Sequence, residues 1–342
     1  MKIIATVLSV AFLATLPRPA TAADNGLQVT RTYQLGGAGG WDYMTFDAAS
    51  RRLYVTRGDH LMVMDGDSGK LVADIAGMSR SHGVALVPAM QTGYVSNGQS
   101  DSVAVIDLTT LKVKSQIPVG KGPDAIIFDP STKHVFVFDG HSNEVSVIDP
   151  AAGKVIATIA APGRPEFAAS DGKGHVFFNL EDKNKLTQLD AKAAKVLNTW
   201  SLGTCDSPSG LAIDAAHERL FSVCANKQMV VLDGKDGHIV TTVPIGDGPD
   251  AAAFDAATAT VYSSNSDGTL TVIHEDDADH YSVVANVATP KRARTLAVDP
   301  QTHNVYLATA KFGTPPPATA AEPKPRAPME PDSFAIVVVG KH

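Results

Sequence analysis

Apolar residues in this chain come in short runs bounded by Asn, Gly, Ser or Asp, and the runs arrive in pairs. Residues 94–107 (YVSNGQSDSVAVID) show the pattern: a β-rich run, a polar turn around Gly98, and a second run ending in Asp107. Val, Ile and Tyr suit a pleated surface and Asn-Gly suits positive φ, so the stretch reads as two strands joined by a tight turn. The same sentence recurs as FVFDGHSNEVSVID (136–149), FSVCANKQMVVLD (221–233) and YSSNSDGTLTVIH (262–274).

Aligning the copies on the aromatic of the second strand gives Tyr54, Tyr94, Phe136, Phe177, Phe221, Tyr262 and Tyr306, spaced 40 to 44 residues apart. Seven residues earlier stands Asp47, Asp129, Asp214, Asp255 or Asp299, with Val87 and Ser170 as departures. Asp65, Asp107, Asp149, Asp190 and Asp233 close the third strand, with His274 in the sixth copy, and a fourth strand follows, as in VKSQIPVG (113–120). A sandwich or solenoid could carry the same period. Four strands per repeat, seven times, favour an all-β, seven-bladed β-propeller. The seventh copy stops at its third strand, FAIVVVG (334–340), and VTRTYQLG (29–36) matches the fourth-strand pattern. The N-terminal strand is therefore expected to complete the last blade and close the ring, covering an open edge.

Residues 94–107, the Gly122-Pro123-Asp124 turn and LYVTRGD (53–59) resemble the YVTN-repeat β-propellers, in particular their exported YncE-like group. The resemblance spans residues 27–342 and implies one propeller domain. Its relatives differ in activity (ligand binding, DNA binding, surface scaffolding, sugar-lactonase-like hydrolysis), so it implies the fold more than the function.

Two stretches depart from the repeat. Residues 311–332 (KFGTPPPATAAEPKPRAPMEPD) interrupt the seventh copy, and their Pro and Ala content implies a disordered loop, with a lid as the alternative. HEDDADH (274–280) is expected to be a solvated extension on the opposite face.

Residues 1–22 read as a signal peptide: Lys2, an apolar run too short to span a bilayer, Pro17 and Pro19, then Ala20-Thr21-Ala22. Export, periplasmic or secreted, is the expectation, with no membrane span and a monomeric state. Loss of Lys2 and Arg18 takes the formal charge from −7 to −9, which opposes nucleic acid and anionic membranes as general partners. The two cysteines, Cys205 and Cys224, are expected to form a disulfide in an oxidising compartment.

Counting five residues back from each first-strand anchor gives Asp42, His82, Asp124, Ser209, Asp250 and Arg294, with Pro165-Glu166 at this place in the fourth copy. On a ring, Asp42, Asp124, Glu166 and Asp250 converge near the channel mouth. Carboxylates brought together raise one another's pKa or recruit a cation, Ca²⁺ or Mg²⁺ by donor type, with His82 admitting a transition metal. The other reading is structural: Gly-x-Pro-Asp makes a good loop-to-strand turn without any ligand. Trp41, Tyr43, Arg80, Lys291 and Arg292 lie in blade-joining loops, and Arg57, His60 and His141 in the turns after second strands. Aromatics beside Arg and His suit an organic anion, and Trp41, Arg57, His60, His82, His141 and Arg294 are the ligand-binding candidates. GGAGG (36–40) lacks phosphate-loop spacing and reads as a flexible blade connection. There is no haem-attachment motif, H-E-x-x-H, G-x-S-x-G or P-loop. The expected function is a non-enzymatic binding or scaffold protein for a small ligand or exported protein partner at the channel-mouth face, with no cofactor required. The alternative is a metal-dependent hydrolase resembling the sugar lactonases. Single-stranded DNA binding is disfavoured by charge.

Overall fold

The computed structural model describes residues 26–319, 323 and 325–341; the expected signal peptide lies outside the described residues. Among the described residues, apart from one three-residue 3₁₀ turn, Pro88–Met90, the regular structure is all β. Five antiparallel sheets have four strands each, and a sixth has seven. A representative sheet runs in chain order through Pro123–Asp129, His134–Asp139, Glu144–Asp149 and Lys154–Ala160. The seven-stranded sheet spans Met44–Asp47 to Lys112–Pro118 and pivots on Leu71–Val87, a 17-residue strand that ends one repeat and begins the next.

The last sheet takes strands from both ends of the chain. Its order is Gln28–Gln34, Ala335–Gly340, Val305–Thr309, Arg294–Val298, with Gln28 opposite Gly340 and Gln34 opposite Ala335. The N-terminal strand thus covers the edge that Ala335–Gly340 would otherwise present, as the strand patterns predict. First strands of successive sheets contact one another in chain order, and Arg294–Val298 also contacts Met44–Asp47.

Burial explains why the hydrophobic runs are continuous rather than alternating. The second strand Thr92–Asn97 is buried at every position, whereas in the fourth strand Lys112–Pro118 only Ile117 is buried. Middle strands have a neighbouring sheet on each face, while outer strands meet water. Between two such sheets Phe136, Phe138 and Val147 pack against Val176, Phe178 and Leu189, and each aromatic so buried stabilises the fold by about 1.5–3 kcal/mol. Between the first and last sheets, Leu53 and Val55 pack with Tyr306, Phe334, Ile336 and Val338.

Both recurrent Asp positions are turn caps. Asp47, Asp129, Asp214, Asp255 and Asp299 each accept a backbone N–H from the turn after the first strand. Asp65, Asp107, Asp149, Asp190 and Asp233 do so after the third. The first set also reaches the next sheet: Ser170 Oγ donates to Asp129 at 2.6 Å, His303 Nδ1 lies 2.7 Å from Asp255, and Arg51 lies 2.6 Å from Asp299. Ser170, a departure from the Asp pattern, is therefore a donor to the neighbouring copy.

Cys205 and Cys224 form the expected disulfide, buried beside Leu202, Leu211 and Leu220. Closing a 19-residue separation removes unfolded-chain entropy worth about 3 kcal/mol. Changing both cysteines to serine should lower the melting temperature by roughly 5 °C in calorimetry, since one kcal/mol shifts a domain of this size by a degree or two. An unchanged melt would show that the bond adds nothing to stability.

Candidate functional site

The repeat motif places the site residues. In LYVT (53–56) and YVSN (94–97) a hydroxyl at or next to the end of the second strand, Thr56 or Ser96, reaches the first strand of the next repeat. Thr56 Oγ1 donates to the His82 carbonyl at 2.6 Å, and Ser96 Oγ to that of Asp124 at 2.5 Å. Asn179 Nδ2 donates to the Ser209 carbonyl at 2.9 Å. In these three repeats the second strand thereby fixes the backbone at the residue that the next repeat contributes.

His82, Asp42 and Asp124 come together. His82 Nδ1 lies 2.6 Å from Asp42 Oδ2 and 3.5 Å from Asp124 Oδ1. Asp124 Oδ1 is buried without a hydrogen-bond partner, as is the Tyr43 hydroxyl. Potential donor atoms of Asp42, His82 and Asp124 all lie within 4.8 Å of one another. Asp42 and Asp124 are half-buried, with 31% and 29% of their side chains accessible. Glu166 shares a cavity of ≈ 140 Å³ with His82, Asp124, His141, Arg80 and Arg164. Asp250 lies apart from these ligand atoms and pairs with Arg294 at 3.2 Å. The four carboxylates therefore do not form one equivalent ring; two gather on His82, one borders their cavity, and one is held by arginine.

Burial dominates the electrostatics. It pushes Asp42 up, with Asp124 adding repulsion, and His82 and Arg294 only partly reverse the shift. Burial likewise raises Asp124 and Asp250. Glu166, buried among Asp124, Glu181 and Asp42, is pushed up to about 9. For His82 burial disfavours the imidazolium, but the Asp42 hydrogen bond and the charge of Asp124 prevail and its pKa is raised. Tyr43, its ring tilted against Phe167 with centroids 4.4 Å apart, is raised well above its ordinary value by burial and by all four carboxylates.

The remaining candidates separate. Arg57 is wholly buried: its guanidinium lies 3.6 Å over the Phe334 ring and donates to the carbonyls of Gly36, Gly37, Ala38, Gly39 and Gly40. The GGAGG segment is wrapped around this cation, with positive φ at Gly36, Gly37 and Gly39 turning the carbonyls inward. His60 pairs with Asp59 at 2.6 Å, away from the carboxylates. Trp41 is buried against Phe334 and Phe312, its indole N–H donating to the Arg294 carbonyl. Burial lowers Arg57 to about 10.

The described ends of the 311–332 insertion pair with each other. Phe312 bridges to Met329, and Gly313 and Glu330 bond Pro328 and Lys311. Arg292 lies 4.4 Å over the Phe312 ring. A cavity of ≈ 340 Å³ results, lined by Trp41, Arg292, Arg294, Phe312 and Arg326. Phe312, Arg326 and Arg164 were not anticipated. Register held a clue to the last: Arg80, Arg164 and Arg292 each stand two residues before a site position, where Gly122 and Gly248 stand in the Gly-Pro-Asp copies. A further cavity of ≈ 370 Å³, with Tyr262, His274 and His303 in its walls, lies away from these charges.

No protein-family model matches the chain, and no curated protein matches it. Among solved structures, a chain of Kuenenia stuttgartiensis hydrazine synthase superposes with a TM-score of 0.50 at 16% identity, covering 69% of this chain and 95% of that one. At such identity the likeness concerns the fold alone, and it supports a β-propeller.

Two outcomes follow from the burial. Arg57→Met, which removes a buried cation from five carbonyls, should cost about 2–4 kcal/mol in urea denaturation. Glu166 keeps its proton in the folded state up to about pH 9, against about 4.5 when unfolded, so its contribution falls as pH rises across that window. His82 acts in the same direction, stabilising below its unfolded pKa and losing this as pH rises through the higher folded one. Glu166→Gln should therefore gain stability over the wild type at pH 9 and lose that advantage by pH 5. Equal gains at both pH values would remove the assignment.

Proposed function

We propose that the protein is an exported, closed, seven-bladed propeller of the YVTN-repeat type that binds a small organic anion at its channel-mouth face. Reading the seven-stranded sheet as two units divided within Leu71–Val87 yields seven four-stranded blades with the other five. The cyclic order of first-strand contacts supports closure, and the disulfide suits an oxidising compartment.

One observation carries the ligand class: Arg292, Arg294 and Arg326 meet Trp41 and Phe312 around ≈ 340 Å³, a volume suited to a small molecule. Arg294 is paired with Asp250, which leaves the guanidiniums of Arg292 and Arg326 as a local concentration of positive charge in a chain of formal charge −7. Guanidiniums bind carboxylate or phosphate in a fork, and the aromatic rings cover an apolar body. A second reading rests on Asp42, His82 and Asp124, whose donor atoms fit a divalent cation, and Asp124 Oδ1 lacks any other partner. Such an ion would supply Lewis-acid polarisation for a hydrolase resembling the sugar lactonases, with the three side chains orienting it and Arg294 beside the substrate.

A thermal-shift screen of aliphatic and aromatic carboxylates and sugar phosphates, followed by calorimetry, tests the proposal. Arg292→Ala and Arg326→Ala should each weaken the best ligand about tenfold or more, the scale of one lost charge-assisted contact. Ligand binding untouched by both changes would move the site elsewhere. Lactone turnover that disappears in Asp124→Asn would favour the hydrolase reading instead.

A further inference from the structure

A second polar cluster lies far along the chain from these residues, where the turn of residues 214–219 meets the hairpin of Thr269–Asp277 and His280–Ala288. His217 Nδ1 is 2.7 Å from Asp214 Oδ2 and 3.2 Å from Glu275 Oε1. Donor atoms of all three residues lie within 4.8 Å of one another. Asp214 and Glu275 are 3% and 4% exposed, whereas the His217 side chain is 54% exposed. Glu275 Oε2 is buried and has no hydrogen-bond partner. It shares a carbon with Oε1, so the unsatisfied oxygen belongs to the carboxylate already facing His217. Leaving such an atom bare inside a protein is costly.

We propose that Asp214, His217 and Glu275 form a site for a divalent transition-metal ion of the Zn²⁺ class, joining the fifth and sixth repeats. Ligands about 2.1 Å from a metal stand about 3.0–3.4 Å from one another, and the observed 2.7 and 3.2 Å need only small adjustments to reach that spacing. The imidazole selects Zn²⁺ over Ca²⁺ or Mg²⁺, and the two carboxylates neutralise the ion's charge. Bidentate ligation gives Glu275 Oε2 the partner it lacks. Ligation uses His217 Nδ1 without its proton and leaves Nε2–H toward solvent, and the exposed ring gives the ion a way in. Supporting groups are in place: Tyr281 Oη lies 3.4 Å from Glu275 Oε1, and the Ala216 N–H holds the other oxygen of Asp214. Arg219 already ties the same two elements, bonding Ala278, Asp233 and Asp279. The acidic extension is thus docked on its neighbour rather than wholly solvated, and the metal would add a second tie.

The full-length mature chain, stripped with chelator and titrated with Zn²⁺ in a calorimeter, tests the assignment. One equivalent should bind, with weakening of at least tenfold in His217→Ala and in Glu275→Gln, and no change in Asp124→Asn. Insensitivity to Asp124→Asn separates this site from the cluster on His82. The exposure of His217 makes its alanine variant the safer to fold, and circular dichroism checks it. Should it misfold, Cu²⁺ bound to the wild type supplies the second readout: nitrogen hyperfine splitting in its spin resonance supports a histidine ligand, and its absence overturns one. No bound equivalent in the wild type, or undiminished binding in both variants, overturns the site and leaves His217 as a hydrogen-bonded bridge between two carboxylates.

Discussion

The last sheet depends on a strand from the far end of the chain. Ala335–Gly340 is buried at all six positions and has Val305–Thr309 on one side only. Its other edge would present a row of unpaired backbone groups flanked by Ile336 and Val338, a template for aggregation. Gln28–Gln34 supplies the missing ladder, and the same sheet then packs Phe334, Ile336 and Val338 against Leu53 and Val55 of the first. Arg51 and Asp299 add an ion pair across that junction. Because these contacts join the two ends of the chain, local folding of either end alone does not satisfy them.

Convergence of the polar residues follows from the same repetition. Each first strand begins at an equivalent place, so whatever occupies that register is delivered to a common region, and at His82 and Asp124 a hydroxyl of the preceding second strand, Thr56 or Ser96, holds the carbonyl there. Delivering several acids to one region is electrostatically unfavourable. The protein answers unevenly: His82 serves Asp42, Arg294 serves Asp250, and Glu166 keeps its proton. Asp124 Oδ1 and Tyr43 Oη are left without hydrogen-bond partners, and this residual polarity distinguishes the region from a packed core.

Arginine does two different jobs in this neighbourhood. Arg57 spends all its donors on loop carbonyls and packs its face on Phe334, so it organises the chain and is not accessible to a ligand. Arg292 instead stacks on Phe312, a residue of the insertion, and borders open volume. The difference lies in enclosure. A guanidinium ringed by backbone oxygens is satisfied, and one lying on an aromatic face keeps its edge donors for an anion.

Much of the architecture was legible because repetition is a one-dimensional property. Spacings of 40 to 44 residues, the paired Asp caps and the matching fourth-strand pattern at residues 29–36 determined the four-stranded units and the chain-end pairing. The cysteine pairing was legible for a similar reason: only two cysteines exist. Register also identified Asp42, His82 and Asp124 as neighbours, since equivalent positions on adjacent strands meet. What the sequence did not determine was how those residues share charge, because pairing depends on distances of an ångström or two between side chains hundreds of atoms apart along the chain. It did not show that Arg57 is enclosed by GGAGG, that Phe312 and Arg326 border a cavity, or that Glu275 faces His217. These are contacts between irregular segments or between different repeats, where no periodicity constrains geometry, and only the packed tertiary structure decided them.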